Sequence, residues 1–518
     1  MRLVDELLSI TSDRMDGIAW IERGRSRTLE HRWNWSDVKL LTASAACFLA
    51  ERSIGSGDRV INLGRNSLAW AVLDLACSAL NAVHVPIDSR LSSSQQTQCF
   101  EQVEPKLVFS DSPIAGPVHN LSGLIQLPRV AERLEQIVRP FHRDDLANIL
   151  FTSGTTGNPR GVMLSHQNLI ANAYAKLDAM PQNHSDHRLN FLPFSHAYAR
   201  TCELTTWLIS RSCMEVASGI DGVLNSLMTV QPTLLNGVPV FYDRLLVKWC
   251  QLGGTKSALH EILGSRIRRL ASGGATLSHD VRSQFAEVDM PIFQGYGLTE
   301  SSPVICSNRV GLGSESDNLI EVGPPVKGMA IRIDSESRLW VSGEGVMLGY
   351  WREPEATQAK IVDRWLDTGD LAEFLPSEQL NQEKRAVRIL GRADDTIVLS
   401  NGYKVQPFPI EQILNSQPWV SQCMLVGKNR PHTVLLLKLS SSNELVPTSL
   451  TQYQSRIEQL LCDFPRHAIP KQLVIFEDEW TSANGMANFK GGLNRKRIEA
   501  EFGEIGINLS SNVLGKYR

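Results

Sequence analysis

Residues 149–169 read ILFTSGTTGNPRGVMLSHQNL, a β-strand pattern running straight into a Ser/Thr/Gly loop. Gly154, Gly157 and Gly161 permit a tight backbone with N–H groups turned inward. The hydroxyls of Thr152, Ser153, Thr155 and Thr156 add donors, and Arg160 adds one positive charge at the far end. Together they describe a cradle for a polyanion. The same cluster also fits an ordinary turn, and the residues alone leave both readings open. The Gly-Lys-[Ser/Thr] ending of P-loop nucleotide sites is absent, since the loop runs on as Val162, Met163 and Leu164.

The remainder of the chain bounds what surrounds this loop. A length of 518 residues predicts two or three domains, and 42% hydrophobic with 21% charged residues predicts an ordinary globular protein. A net charge of −3 gives no electrostatic footprint for nucleic acid or for an anionic membrane surface. The nine cysteines, spread from Cys47 to Cys462, form no CxxC pair, so neither a disulfide framework nor a zinc site is indicated. Acidic residues in MRLVDELLSITSDRM argue against a secretory signal. The most apolar stretch, Leu68 to Val83, is interrupted by Asp74 and Asn81 and falls short of a bilayer span. A cytoplasmic location is the expectation.

Taken in order, Val38 to Glu51 reads as a helix, GDRVINLG at 57–64 as a turn and buried strand, Leu68 to Asn81 as a helix, and Ala82 to Ile87 as a strand. This β-α-β alternation predicts an α/β architecture with a mixed or parallel sheet. PKLVFS at 105–110 adds a strand. The segment NFLPFSHAYAR at 190–200 reads as a strand followed by a loop bearing His196, Tyr198 and Arg200. A lone histidine there is either a structural residue or a group at a site. IRRLASGGA at 267–275 reads as a strand ending on Gly273, Gly274 and Ala275, where backbone can approach a flat ligand. FQGYGLTESSP at 293–303 carries Gln294, Gly295, Tyr296 and Gly297, then Thr299 and Glu300. Tyr296 offers an aromatic face, Thr299 a hydroxyl, and Glu300 either a hard oxygen ligand or a helix-cap acid. In WLDTGDL at 365–371, Asp367 and Asp370 suit either a turn or a diol. Past Pro407 a helix, two strands (420–426 and 432–439) and a helix from Tyr453 describe a small α+β module.

TSGTTGNPRGVMLSHQNL closely resembles the phosphate loop of the adenylate-forming superfamily, which contains acyl-CoA synthetases, luciferases and the adenylation domains of peptide synthetases; GYGLTE at 295–300 resembles a second motif of that superfamily. The resemblance covers about residues 58–497 and is closest to long-chain fatty acid–CoA ligases. It implies two α/β subdomains and a β-barrel in a large part, 1–391, joined near Asp394 to a small mobile α+β domain, 392–518. It also implies ATP, Mg²⁺ and CoA as partners of the site, with a medium- or long-chain fatty acid as substrate and acyl carrier protein as an alternative acceptor. Under it, the loop residues Thr152 to Gly157 and Arg160 hold phosphate, and the family's usual lysine is replaced at Arg160. Gly273 to Ala275 and Gln294 to Gly297 face the nucleotide, Thr299 the α-phosphate, Glu300 and Thr152 the metal, Asp370 the ribose, and Arg392 the nucleotide. His196 lies near the carboxylate, and QPTLLNGVPVFYDRLL at 231–246 resembles a substrate-channel stretch, though plain core packing fits it too.

The pattern departs in two places. Aligned from Asn484 and Gly485 to Arg495, the position of the family's late catalytic lysine falls on Gly492, with Lys490 two residues earlier and Lys496 four later. Lys490 either serves in its place or is a solvated surface charge. Val398 replaces a lysine common after the hinge. A nucleotide- or acyl-adenylate-binding protein with weakened adenylation therefore stands beside the ligase as an expectation, since a charge at the reacting phosphate normally contributes several kcal/mol to the transition state. Loose membrane association without a transmembrane segment is compatible with a long-chain substrate.

Overall fold

The computed structural model describes residues 1–23, 30–112, 117–153, 159–310, 322–375, 385–440, 450–481, 484–487 and 492–502. Gly154, Thr155, Thr156, Gly157 and Lys490 lie outside the described residues, as does the side chain of Ser153.

An eight-stranded sheet runs in the order Val304–Ser307, Ile292–Gly297, Arg269–Ser272, Leu234–Gly237, His187–Asn190, Cys213–Val216, Ile18–Arg23 and Glu30–Asn34. Its six central strands are parallel, and each edge strand is antiparallel to its neighbour. A seven-stranded sheet runs Gly349–Tyr350, Pro159–Ser165, Leu146–Ser153, Val83–Pro86, Arg59–Asn62, Leu107–Ser110 and His119–Asn120. The strand and the returning strand of the opening motif are thus an antiparallel pair, with Thr152 opposite Arg160.

The helix Leu68–Leu80 is buried at all 13 positions, which accounts for an apolar stretch almost without a polar face. Around it Trp35 stacks on Trp207 at 4.7 Å, Trp207 meets Trp20 edge-on at 5.5 Å, and Trp70 tilts against Phe194 at 5.3 Å. The two polar interruptions have structural work. Asn81 ends the helix in the left-handed region at φ 56°. Asp74 accepts from Arg200 at 2.8 Å and from His84 Nδ1 at 2.8 Å inside the core. Arg200 is therefore no loop residue, as the sequence suggested. It is fully buried and opens a π-helical turn, Arg200–Thr205. Burial of its guanidinium against Asp74, Asn148 and Thr205 pulls the chain out of a loop path.

The β-rich part expected as a barrel is a five-stranded antiparallel sheet of Met329–Ile333, Arg338–Gly343, Trp365–Phe374, Ile361–Val362 and Val387–Arg392, with no pairing that closes the ring among the described residues. Beyond the short turn Ala393–Asp395, the strands Val420–Val426, Val434–Leu439 and Gln472–Ile475 pack with the helices Pro407–Asn415 and Leu450–Leu460 around apolar cores of their own. Asp370 stands mid-strand in Trp365–Phe374 and not in a turn. No helix among the described residues is long and apolar enough to cross a membrane.

His166 opens the helix His166–Ala179, whose start is capped reciprocally by Ser165 and Asn168. Its Nε2–H donates to Asn81 Oδ1 at 3.0 Å, while Nδ1 is buried without a partner among the described residues. Burial, with the nearby Arg2 charge, brings this imidazole down to about 4. Between an unfolded value of ~6.5 and that point, the unfolded chain takes up a proton that the folded chain refuses. The contribution is complete above the upper limit and is lost as pH falls to the lower one. Urea unfolding midpoints should therefore fall more steeply with acid in the wild type than in His166→Asn, by on the order of 2–3 kcal/mol across that window; parallel slopes would refute the assignment.

Candidate active site

Two cavities lie where the ends of the sheet strands meet the five-stranded sheet and the residues after Arg392. The larger, about 670 Å³, is lined by Thr152, Arg160, His196, Gly273, Thr299, Glu300 and Arg392 among others. The smaller, about 350 Å³, is lined by Gly274, Ala275, Gln294, Asp370 and Arg392. Gly295, Tyr296, Gly297 and Leu298 belong to both walls. The described residues that the sequence assigned to the nucleotide, the metal and the carboxylate are on one wall or the other, apart from Ser153, whose side chain lies outside the described residues.

Strand pairing places the charged groups. The register sets Asp370 opposite Arg392 on neighbouring strands, and Arg392 Nη1 donates to Asp370 Oδ1 at 3.0 Å and to the Thr368 carbonyl at 3.2 Å. From the other side the Tyr296 hydroxyl donates to Asp370 Oδ2. The Tyr296 ring that the sequence offered as an aromatic face lines both cavities, and its hydroxyl is tied to Asp370. Burial raises the Asp370 carboxyl above its ordinary value, and the Arg392 charge and the Tyr296 hydrogen bond pull the other way.

The strand Ile292–Gly297 ends in the turn Thr299–Ser301, which presents Thr299 and Glu300. A Cβ on Gly297 would sit 1.7 Å from the Pro303 carbonyl oxygen, so this turn closes only on glycine. At Gly273 a Cβ would lie 2.9 Å from the Tyr198 ring, so the ring packs close to the backbone only because this residue is glycine. The turn is held from outside by Asn172, whose amide donates to the Ser301 and Val304 carbonyls at 3.2 and 2.8 Å and accepts from the Val304 amide at 3.0 Å. Sequence reasoning missed Asn172. Its signal was an asparagine inside a helix, where it is a poor helix former.

Glu300 accepts from the Tyr350 hydroxyl at 2.9 Å, and no cluster of three His, Cys, Asp or Glu side chains occurs among the described residues. A Mg²⁺ ion bound through one carboxylate, with phosphates and water completing its shell, fits this donor set. Arg160 faces Glu353 at 2.9 Å and lies over the Tyr350 ring at 4.8 Å, so its charge is shared with an acid that the sequence reading overlooked. Thr152 turns its hydroxyl to the Arg160 carbonyl at 3.4 Å.

His196 Nε2 lies 3.0 Å from Asp88 Oδ2, and Arg90 Nη2 is 3.1 Å from the same nitrogen. Burial works to raise the Asp88 carboxyl, yet hydrogen bonds from His196 and Arg90 hold it well below the usual carboxylate range. A Cβ on Gly237, placed by sequence beside a substrate channel, would sit 2.8 Å from Tyr242 and 2.9 Å from Phe241, so this glycine packs in the manner of plain core. Near the C-terminus, Arg495 binds Glu411 at 2.7 and 2.8 Å and the Leu425 carbonyl at 2.6 Å, and both side chains face the smaller cavity. An isolated bridge pairs Ala487 with Leu493 on either side of the segment that contains Lys490. Val398 is exposed on the ribbon formed by Ile397–Val398 and Lys404–Val405.

Asp370→Asn should weaken nucleotide binding by about 10- to 100-fold, the cost of losing a charged acceptor, with Tyr296→Phe milder. Titration calorimetry with ATP checks this; an unchanged affinity in Asp370→Asn would remove that residue from the site.

A family model described as AMP-binding enzyme matches residues 15–351, and one described as AMP-binding enzyme C-terminal domain matches residues 394–506. A long-chain-fatty-acid–CoA ligase of Mycobacterium bovis is 27% identical over 478 residues, spanning 78% of this chain and 78% of the relative. A chloroplastic long-chain-fatty-acid–[acyl-carrier-protein] ligase of Arabidopsis thaliana is 23% identical over 579 residues, spanning 87% of this chain and 79% of the relative. Among solved structures, ATP-bound MatB from Rhodopseudomonas palustris shares the fold, with a TM-score of 0.80 at 23% identity over 98% of this chain and 100% of that one. Matched over most of its length, the chain belongs to the AMP-binding enzyme family.

Proposed function

We propose that this protein joins a carboxylic acid to a thiol through an acyl-adenylate. The observation that carries the reading is the convergence of Thr152, Thr299, Glu300 and Arg392 on one cavity that shares a wall with the cavity of Asp370. In the first step a carboxylate oxygen attacks the α-phosphorus of ATP, the bond to the bridging oxygen breaks, and pyrophosphate leaves. Thr299 and Arg392 supply donors where negative charge gathers on the α-phosphate, and Asp370 takes the ribose hydroxyls. Glu300, with the Thr152 hydroxyl, would hold Mg²⁺, which neutralises phosphate charge when bound. Neither step needs a covalent protein nucleophile, so positioning and charge do the work.

In the second step a thiolate attacks the acyl carbon and AMP leaves. Coenzyme A is the proposed thiol. A third cavity, about 710 Å³, is lined by Arg23, Arg65 and Arg90 and by Pro193 and Ser195, next to the residues His196 and Ala197 that line the adenylation cavity. His196 and its partner Asp88 thus stand in the partition, and arginines on the far side suit the phosphates of an incoming cofactor. We also propose that residues from 392 onward form a small domain turning near Asp394 between the two steps, and that the acyl substrate is of the fatty acid class named in the relatives.

The test is pyrophosphate release from Mg-ATP with acids of graded length, in the presence of CoA, of acyl carrier protein bearing its thiol arm, or of neither. Release that depends on the acid, with acyl-CoA and AMP appearing only when CoA is added, is the expected result. Thioester on the carrier protein alone would move the acceptor. No release with any acid, despite ATP binding, would leave a binding protein. Lys490→Ala is expected to lower release by about 100-fold or more if Lys490 supplies the charge missing at Gly492; an unaffected variant would return Lys490 to a surface role.

A further inference from the structure

Lysine is seldom found deep inside a protein, because an ammonium group loses its hydration there. Lys176, in the third turn of the helix His166–Ala179, is 3% exposed and lines the larger cavity. Its Nζ donates to Ser307 Oγ at 3.3 Å and to the weak acceptor Met180 Sδ at 2.8 Å, and it forms no ion pair with a carboxylate among the described residues. Burial lowers its pKa from the ordinary lysine value. A second buried polar group lines the same cavity. Ser272, the last residue of the strand Arg269–Ser272, is 2% exposed, and its Oγ has no hydrogen-bond partner among the described residues. Cys202 and Tyr198 line this cavity too, with burial pushing the Cys202 thiol up to about 11.

These groups take no part in the contacts that tie Thr152, Arg160, Tyr350 and Glu300 together at the phosphate side. A methyl-terminated chain filling the cavity would bury an ammonium and a hydroxyl against hydrocarbon. A second carboxylate at the far end of the substrate would answer both, forming a neutral pair with the lysine and accepting from the serine. We infer that Lys176 and Ser272 form the recognition end of the acyl pocket, and that the acid activated carries a second, anionic carboxylate at the end away from the reacting one. This rests on the ligase reading and narrows its substrate class.

The experiment compares saturated monocarboxylic acids with α,ω-dicarboxylic acids of equal length, from four to fourteen carbons by choice of probe, which brackets roughly the depth such a cavity can hold. Pyrophosphate release by the full chain is read for the wild type, Lys176→Met and Ser272→Ala. The wild type should favour one diacid length over its monoacid by about 100-fold in kcat/KM, because a site built to bind an oxygen group rejects the analogue that lacks it. Lys176→Met should abolish or invert that ratio, and Ser272→Ala should raise KM for the diacid more than it lowers kcat. A wild type that activates monoacids as well as or better than diacids at every length overturns the inference and leaves the ligase reading intact. Should Lys176→Met fail to fold, the wild-type ratio decides alone. Absence of release with either series, with ATP binding retained, overturns both readings.

Discussion

The buried ion pair between Asp74 and Arg200 is the constraint on which the cavity wall around His196 depends. Asp74 sits on the helix Leu68–Leu80 and Arg200 at the start of the π-helical turn, both within the core. His84 and Asn148, on strands of the seven-stranded sheet, add hydrogen bonds to the carboxylate and the guanidinium, and Arg200 Nε stays buried without a partner among the described residues. Two ions taken from water are costly, and such a pair persists only where further hydrogen bonds satisfy its remaining donors and acceptors. Here those bonds come from separate elements, so the pair fixes where the chain must run after His196. The backbone bond from the Arg200 amide to the His196 carbonyl, at 2.9 Å, passes that fixation to the residues between the cavities. A π-turn is an uncommon conformation that often marks a functional segment, and this one is the junction between core and cavity wall.

Local signals made much of the fold legible. The helix Trp35–Glu51 and the strands Val83–Pro86 and Leu107–Ser110 fall within a few residues of where hydrophobic period and turn residues put them. So do the approximate ends of the strand Arg269–Ser272, since Gly273 and Gly274 follow it directly. What composition could not reveal is pairing between distant strands. Asp370 and Arg392 are 22 residues apart, and only the antiparallel register makes them neighbours. Asp370 looked like a turn former because Thr-Gly-Asp is turn chemistry, and sheet pairing overrode that local preference.

The cavities were legible as motifs and illegible as charge balance. Arg160 was readable as a cation next to a phosphate loop, but not as the partner of Glu353, which comes from a segment nearly two hundred residues later. Tyr296 was readable as a ring, but not as the donor that shares Asp370 with Arg392. Lys176 gave no sequence signal at all, since a lysine late in an amphipathic helix ordinarily lies on the solvated face. The difference is that this helix is buried on more than one side. Ser165 and Asn168 cap it against the strand Pro159–Ser165, and Asn168 and Asn172 tie it to the segments at 344–346 and 301–304.

These internal pairs set the chemistry a ligand must meet. A ribose reaching Asp370 has to share an acceptor that already serves Tyr296 and Arg392, and a phosphate reaching Arg160 has to draw it from Glu353. Each exchange replaces one charge-assisted contact with another, so the net gain is smaller than the contacts formed would indicate. The cation at Lys176 is different in kind, because no carboxylate among the described residues has to be displaced from it. Binding energy from that end of the substrate is therefore available to fix the reacting carboxyl at the α-phosphate, where a positioned reactant gains most. The cavity thus combines paired charges at Arg160 and Arg392 with a lysine that has no carboxylate partner among the described residues, and on the diacid proposal it selects its acid chiefly by what that acid carries at its far end.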